Sequence, residues 1–241
     1  MQFDGNSKTL LQVTGLTAGY GRIQVLWGVD LCVHEHESIV LLGANGAGKT
    51  TLLKAIMGLI EAWGGQVDFD GVNITRLRTD HRVRRGIVYM SEASGFVGLT
   101  VEENILIGAQ FLPRSQIRGR ADELYAVFPA LAERRRALVS SLSGGQRKMV
   151  GIAKALAGNP RLIVMDEPSA GLSPLFVKEV VRVLAQFRAK DLALLIAEQN
   201  VKFLELADRV YTLDNGRIGF FGTVSEIHKN DALRRAYFGL K

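Results

Sequence analysis

The sequence holds one cysteine, Cys32, which excludes a framework of internal disulfides and suits a reducing compartment. It lacks any apolar run near the roughly 18 residues that carry a helix across a bilayer; the longest candidates are short stretches such as residues 192–197. The opening residues, MQFDGNSKTL, offer neither the basic nor the apolar region of a secretory leader. Any membrane role is therefore expected to be peripheral. Aromatic residues are few, and none interleave with the basic clusters at residues 76–85, 114–120 and 134–136 as a base-stacking platform requires. Nucleic acid is not an expected partner despite the net charge of +6. The clusters read as solvated faces or as contacts with lipid headgroups or a membrane partner. Internal repeats and low-complexity linkers are absent too.

What is present is an ordered globular chain, 47% apolar and 22% charged over 241 residues, long enough for one large core or a core with a small subdomain. The first ninety or so residues read mostly as strands: LLQVTGL, IQVLWGVDLCV, SIVLLG and GQVDFDG. After SIVLLG a glycine-rich loop opens a helix expected over residues 49–60. From about residue 100 to 158 the pattern is helical, in LTVEENILIGAQFL, RADELYAVFPALAERRRAL and SGGQRKMVGIAKALAGN. Strands return as RLIVMD and LALLIAEQ, continuous apolar runs suited to parallel strands covered on both faces. Between them PLFVKEVVRVLAQFRAK reads as a helix. RVYTLDNGRIGFFG carries the Asp-Asn-Gly signal of a hairpin, and a short helix follows it. The expectation is a helical subdomain inserted in an α/β core.

Three motifs carry chemistry. Gly43-Ala44-Asn45-Gly46-Ala47-Gly48-Lys49-Thr50 follows a strand and opens a helix, as a phosphate-binding G-x-x-x-x-G-K-[ST] loop must. Glycines let backbone N–H groups turn around phosphate oxygens, and the helix N-terminus adds its positive end. Lys49 would neutralise β- and γ-phosphate charge while Thr50 offers a hydroxyl to Mg²⁺. Asp166 and Glu167 end the strand LIVMDE, and ligands of parallel sheets sit beyond the strands' carboxyl ends. Asp166 suits the metal's shell and Glu167 a base for the attacking water. In Leu142-Ser143-Gly144-Gly145-Gln146, an N-cap serine and two glycines expose N–H donors and a hydroxyl to an anion.

Together ANGAGKTT, LSGGQ and LIVMDEP resemble the ATP-binding cassette of ABC transporters, and the resemblance runs over nearly the whole chain from about Leu11. It implies an α/β fold: a P-loop NTPase (RecA-like) core with an N-terminal antiparallel β subdomain and an inserted α-helical subdomain. The core would comprise about residues 1–95 and 159–241, and the helical signature subdomain about 96–158. It implies ATP and Mg²⁺ as cofactors, ATP hydrolysis as the activity, and LSGGQ facing the γ-phosphate bound to another subunit, so that one chain offers two incomplete sites. Residues implied to touch nucleotide are Tyr20, stacking on adenine, the loop from Gly43 to Thr50 with Thr51, Glu92, and Ser143 to Gln146. Lys49, Glu167 and Gln199 would serve catalysis, and Thr50, Asp166 and Glu92 the metal.

Three positions depart from the family's usual pattern. Glu92 stands where most cassettes have glutamine, Gln199 where most have histidine, and Ser173, in SAGLSP, where aspartate is common. A glutamine can donate to phosphate but cannot become cationic. Glu92, the Glu-Gln-Asn run ending at Asn200, LTVEENILIGA and the ending ALRRAYFGL look like the short ATPases of branched-chain amino-acid uptake systems. That resemblance implies a second ATPase subunit, either a longer paralogue or another copy, two membrane permease subunits and, indirectly, a periplasmic solute-binding protein. The chain would lie on the cytoplasmic face of the inner membrane. Residues around 92–100 would receive a permease helix, with Phe96, Val97 and Leu99 as apolar candidates. An importer for urea, amides or other organic acids, an export or lipid-handling cassette, a soluble ABC ATPase acting on DNA or the ribosome, and a weakly catalytic regulatory module are the alternatives.

Overall fold

The computed structural model describes residues 8–92, 95–188 and 191–230, together with 235 and 237. Strands β1 (Thr9–Tyr20) and β2 (Ile23–His34) form a long hairpin, and β3 (Ser38–Leu42) leads into α1 (Lys49–Ile56). After β4 (Ala62–Phe69) and β5 (Val72–Asn73), α2 (Thr79–Arg84) delivers the chain to β6 (Ile87–Met90). Then come α3 (Val101–Gly108), α4 (Arg114–Val127), α5 (Pro129–Glu133) and α6 (Gly144–Ala157). They precede β7 (Leu162–Asp166), α7 (Pro174–Arg188), β8 (Ala193–Glu198), the hairpin β9 (Arg209–Asp214) and β10 (Arg217–Thr223), and α8 (Val224–Lys229).

The strands form two sheets, one antiparallel in the order β2-β1-β4-β5 and one in the order β10-β9-β3-β8-β7-β6. In the second sheet only the β9–β10 pair is antiparallel. Each central strand is buried along its whole length, because alternate residues face two different cores. Val40 and Leu42 of β3, with Ile163 and Met165 of β7, pack toward α6 and α7. Ile39 and Leu41, with Leu162 and Val164, pack toward α1 and the antiparallel sheet. The continuous apolar runs are thus two alternating patterns superposed. Asn215 (φ 46°) and Gly216 (φ 73°) make the β9–β10 turn left-handed at both central residues, as Asn-Gly hairpins require. No helix among the described residues is long and apolar enough to cross a membrane.

Several boundaries differ from the sequence expectation. Helix α1 stops at Ile56 rather than residue 60, because Gly58 turns left-handed (φ 67°) under a guanidinium that leaves no room for a Cβ. Helix α4 begins at Arg114, straight after Pro113, and runs through Gly119. The residues RRRAL after α5 are not helical; the carbonyls of Arg135 and Ala137 accept from Glu102 and Val101 N–H at the start of α3. Helix α2 and strand β6 were not among the expected elements; both are too short for a clear periodicity. Residues 189–190, which end the expected helix PLFVKEVVRVLAQFRAK, lie outside the described residues, as does ALRRAYFGL apart from 235 and 237.

The guanidinium under Gly58 belongs to Arg82, the largest of the fully buried side chains. Its donors reach Leu77 O at 2.9 Å, Ala55 O at 3.2 Å, Ile56 O at 2.5 Å and Thr75 O at 2.8 Å. Two of these carbonyls end α1, where the helix dipole is negative, so the cation caps the helix that carries the phosphate loop. Burial lowers its pKa to about 10. Arg82→Met fills similar volume but leaves four carbonyls without that donor; stability is expected to fall by about 3 kcal/mol, read as a lowered urea midpoint.

Candidate active site

The loop after β3 wraps around its own lysine. Gly43 has no space for a side chain, since a Cβ would meet Leu213 O at 2.6 Å, and Gly48 is left-handed (φ 106°) against Val25 and Leu26. Gly46 faces open space, and only its φ of 81° demands glycine. Gly216 N–H donates to Ala47 O at 2.9 Å, so the β9–β10 turn straps the loop from outside. Lys49 is buried; its Nζ donates to Gly43 O at 2.8 Å and Ala44 O at 3.1 Å. Thr51, one residue past Thr50, is buried as well.

Strand β7 brings its terminal carboxylates to the same place. Thr50 Oγ1 donates to Asp166 Oδ1 at 3.1 Å, and Tyr89, from β6, donates to Oδ2 at 3.0 Å. Burial first, then the charge and hydrogen bond of Asp166 and the neighbouring Tyr20, push the Tyr89 phenol well above its ordinary range. Glu167 stands next in a left-handed conformation (φ 45°) that non-glycine residues seldom adopt. Its Oε1 lies 3.4 Å from Lys49 Nζ and 3.1 Å from Gln199 Nε2, while Gln199 also donates to Asn45 Oδ1 at 2.5 Å. One carboxylate oxygen thus gathers the loop lysine and an amide from the end of β8.

Three residues here had no role in the sequence reading. Tyr89 is one. Glu198, buried at the end of β8, accepts N–H bonds from Ser169 at 2.7 Å, Gln199 at 2.9 Å and Asn200 at 3.0 Å, fixing the turn that aims Gln199. Lys148, buried on α6, donates to Glu92 O at 3.0 Å and Glu167 O at 3.3 Å. A carboxylate closing an apolar strand was the only sequence signal for Glu198. Lys148 resembled any charge on an amphipathic helix.

The remaining expected residues sit around this cluster. Glu92 is exposed, its main-chain oxygen tied to Lys148, and Ala93 and Ser94 beyond it lie outside the described residues. Tyr20 ends β1 and is 46% exposed; Trp63, half exposed, lies against the same hairpin at Gly19. Ser143 caps α6: its Oγ accepts from Gln146 N at 3.3 Å, and Ser143 N donates to Gln146 Oε1 at 3.1 Å. Gly144 is exposed, whereas a Cβ on Gly145 would run into the Phe176 ring at 2.7 Å. Among the described residues no group of three or more His, Cys, Asp or Glu converges on a metal-sized space. Thr50 and Asp166 fit a hard cation that takes its other ligands from phosphate and water, as Mg²⁺ does.

The ABC transporter family model matches residues 26–170. Among characterised relatives, the chain is 35% identical to the high-affinity branched-chain amino acid transport ATP-binding protein BraG of Pseudomonas aeruginosa, covering 95% of this chain and all of that one. It is 35% identical to the probable branched-chain amino acid transport ATP-binding protein LivF of Archaeoglobus fulgidus (96% and 99% covered). It is 36% identical to the lipopolysaccharide export system ATP-binding protein LptB of Escherichia coli K12 (95% and 97% covered). Of solved structures, the ADP conformation of MJ1267, an ATP-binding cassette of an ABC transporter, superposes with a TM-score of 0.85 at 27% identity, covering 97% and 100%. A nucleotide-free cassette gives 0.84 at 26%, covering 95% and 98%.

Gly43 and Gly46 separate steric from conformational demands on the loop. Gly46→Ala carries only the cost of a left-handed alanine, about 1 kcal/mol. Gly43→Ala must displace backbone at Leu213 and is expected to cost about 2–3 kcal/mol. Urea midpoints for the two variants measure the difference.

Proposed function

This chain belongs to the ABC transporter family as an ATP-binding ATPase, and we propose that it energises the uptake of branched-chain amino acids across the inner membrane. The observation that carries the catalytic half of this reading is the convergence of Asn45, Lys49, Thr50, Asp166, Glu167 and Gln199 through contacts of 2.5–3.4 Å. The import half rests on similarity over full length to BraG and LivF, together with Glu92 and Gln199 at the places where most cassettes resemble one another in carrying glutamine and histidine. LptB, equally similar, favours a second reading, a cassette for lipid export.

In this proposal Lys49 exchanges the carbonyls of Gly43 and Ala44 for β- and γ-phosphate oxygens, which a cation in a shielded loop binds more strongly than neutral dipoles. Thr50 and Asp166 would hold Mg²⁺, with Glu92 near it, and the ion would supply positive charge against the phosphates. Glu167, released from Lys49, orients and deprotonates the attacking water. Gln199 keeps that carboxylate aimed and gives the γ-phosphate a neutral donor. Tyr20 stacks on adenine. Ser143, Gly144, Gly145 and Gln146 complete the site of a second ATPase subunit, whether a longer paralogue or another copy. A core of about residues 1–95 and 159–241 and a signature lobe of about 96–158 are part of the same proposal.

Two membrane permease subunits are the other partners, with a solute-binding protein beyond them. Phe96 and Val97 are 51% and 55% exposed, as a docking surface requires, while Leu99 is half-buried. Phe96 also lines a cleft of about 320 Å³ between α2, α3 and α6, together with Val83, Met90, Ile107 and Phe111 among others. Lys154 lies 4.4 Å from the Phe96 ring and Arg84 4.4 Å from the Phe111 ring. An apolar trough rimmed by cations suits one short amphipathic helix of a permease.

Purification with its genomic neighbours tests the whole: leucine-type amino acids, presented with the binding protein, should stimulate ATP hydrolysis, and stimulation by a lipid alone would favour export. Glu167→Gln is expected to retain ATP binding and to lower turnover by about a hundredfold or more, measured as phosphate release; undiminished release rejects Glu167 as the base. Phe96→Asp with Val97→Asp should change stability by no more than about 0.5 kcal/mol and abolish co-purification with the permease.

A further inference from the structure

Lys148 starts from the wrong place for a residue of its own subunit's site. It lies on α6 five residues after Ser143, about 7.5 Å along the helix from the cap, and that cap belongs to the half-site offered to another subunit. Its side chain nevertheless runs back into this chain, is 4% exposed, and ends between Glu92 O at 3.0 Å and Glu167 O at 3.3 Å. Burial lowers its pKa, and the charges of Glu92, Glu198, Glu167 and Asp166 offset that only in part. A buried cation with four carboxylates in range yet bonded to two carbonyls is fixing main chain rather than pairing with one acid.

The main chain it fixes is the strained part of the site. Glu167 N–H is held by Ala197 O of β8 at 2.9 Å, and Glu167 O accepts from Lys148 and from Ala170 N at 3.1 Å. With φ at 45° the residue leaves an ordinary backbone basin at a cost of about 1–3 kcal/mol, so its carboxylate points at Lys49 and Gln199 only while both ends of the residue are restrained. The N–H end is held by the sheet, and the carbonyl end by the signature helix together with the Ala170 turn.

We propose that Lys148 is a positioning residue that makes the aim of the Glu167 carboxylate depend on the position of its own signature helix. When Ser143–Gln146 engages nucleotide on a partner, α6 shifts as a rigid rod, and Lys148 carries the shift to the base of the same chain. Hydrolysis in one site thereby depends on nucleotide in the other through one side chain. The inference rests on the reading of Glu167 as the base.

A double-mutant cycle on the full chain tests it, with ATP affinity and single-turnover hydrolysis measured for Lys148→Met, Glu167→Gln and the double variant. Lys148→Met is expected to slow hydrolysis about tenfold or more while the Kd for ATP changes less than about twofold. In the Glu167→Gln background the same change should add less than about twofold, because the residue through which Lys148 acts is already disabled. Lys148→Arg, which keeps the charge and the donors, should retain more activity than Met and goes through the same cycle if Met fails to fold. Unchanged hydrolysis in Lys148→Met, a parallel loss of ATP affinity, or a full loss in the Glu167→Gln background overturns the role of Lys148. Undiminished hydrolysis in Glu167→Gln alone instead removes the base reading itself.

Discussion

A sheet buried on both faces has nowhere to keep polar side chains except at the ends of its strands. Every residue of β3, β7 and β8 is buried, and in the middle of these strands a charge would have neither water nor a partner. Polar groups therefore appear where the strands stop: the phosphate loop after Leu42, Asp166 and Glu167 after Met165, Glu198 and Gln199 after Ala197, Glu92 shortly after Met90. The order β3-β8-β7-β6 places these ends side by side, and three strand spacings put the outermost about 14 Å apart. The site follows from the sheet being double-covered and parallel.

Concentrating the polar groups this way also sets their electrostatics. Two buried lysines, Lys49 and Lys148, stand among the carboxylates of Glu92, Asp166, Glu167 and Glu198. Each buried lysine spends most of its donors on carbonyls. That division matters. Carbonyls are neutral, so a phosphate oxygen can replace them at Lys49 without stranding a buried anion. Lys148 has no equivalent opening, being enclosed by main chain of its own subunit. The first lysine is placed to change partners, and the second to keep them.

The sequence made the outline of the site legible and hid its supports. The phosphate loop, the paired carboxylates and the serine-capped glycine helix are each local strings whose spacing carries the geometry. Tyr89, Glu198 and Lys148 act on residues 77, 29 and 56 positions away in the chain, and nothing in their neighbours announces it. The same distinction governs the fold. Strand runs and the Asn-Gly turn follow from local pattern, whereas the end of α1 is set by Arg82, 26 residues on from Ile56. A four-residue difference in where a helix stops is thus a tertiary fact.

Gln199 bears on how such a site behaves in a dimer of unlike subunits. At this position a histidine could lend positive charge to a phosphate and would titrate near neutral pH; an amide does neither. What Gln199 supplies is directional: one nitrogen donates to both Asn45 and Glu167, joining the phosphate loop to the carboxylate at any physiological pH. In the proposed mechanism, transition-state charge in this chain's own site would be met by Lys49 and the metal, without an imidazolium. A partner that carried histidine would build a site with one more cation available, while drawing its signature contacts from Ser143–Gln146 here. In such a pair the composite sites would differ in chemistry even though each is closed by the same motion, and this chain's Glu92, Lys148 and Gln199 would determine only one of them.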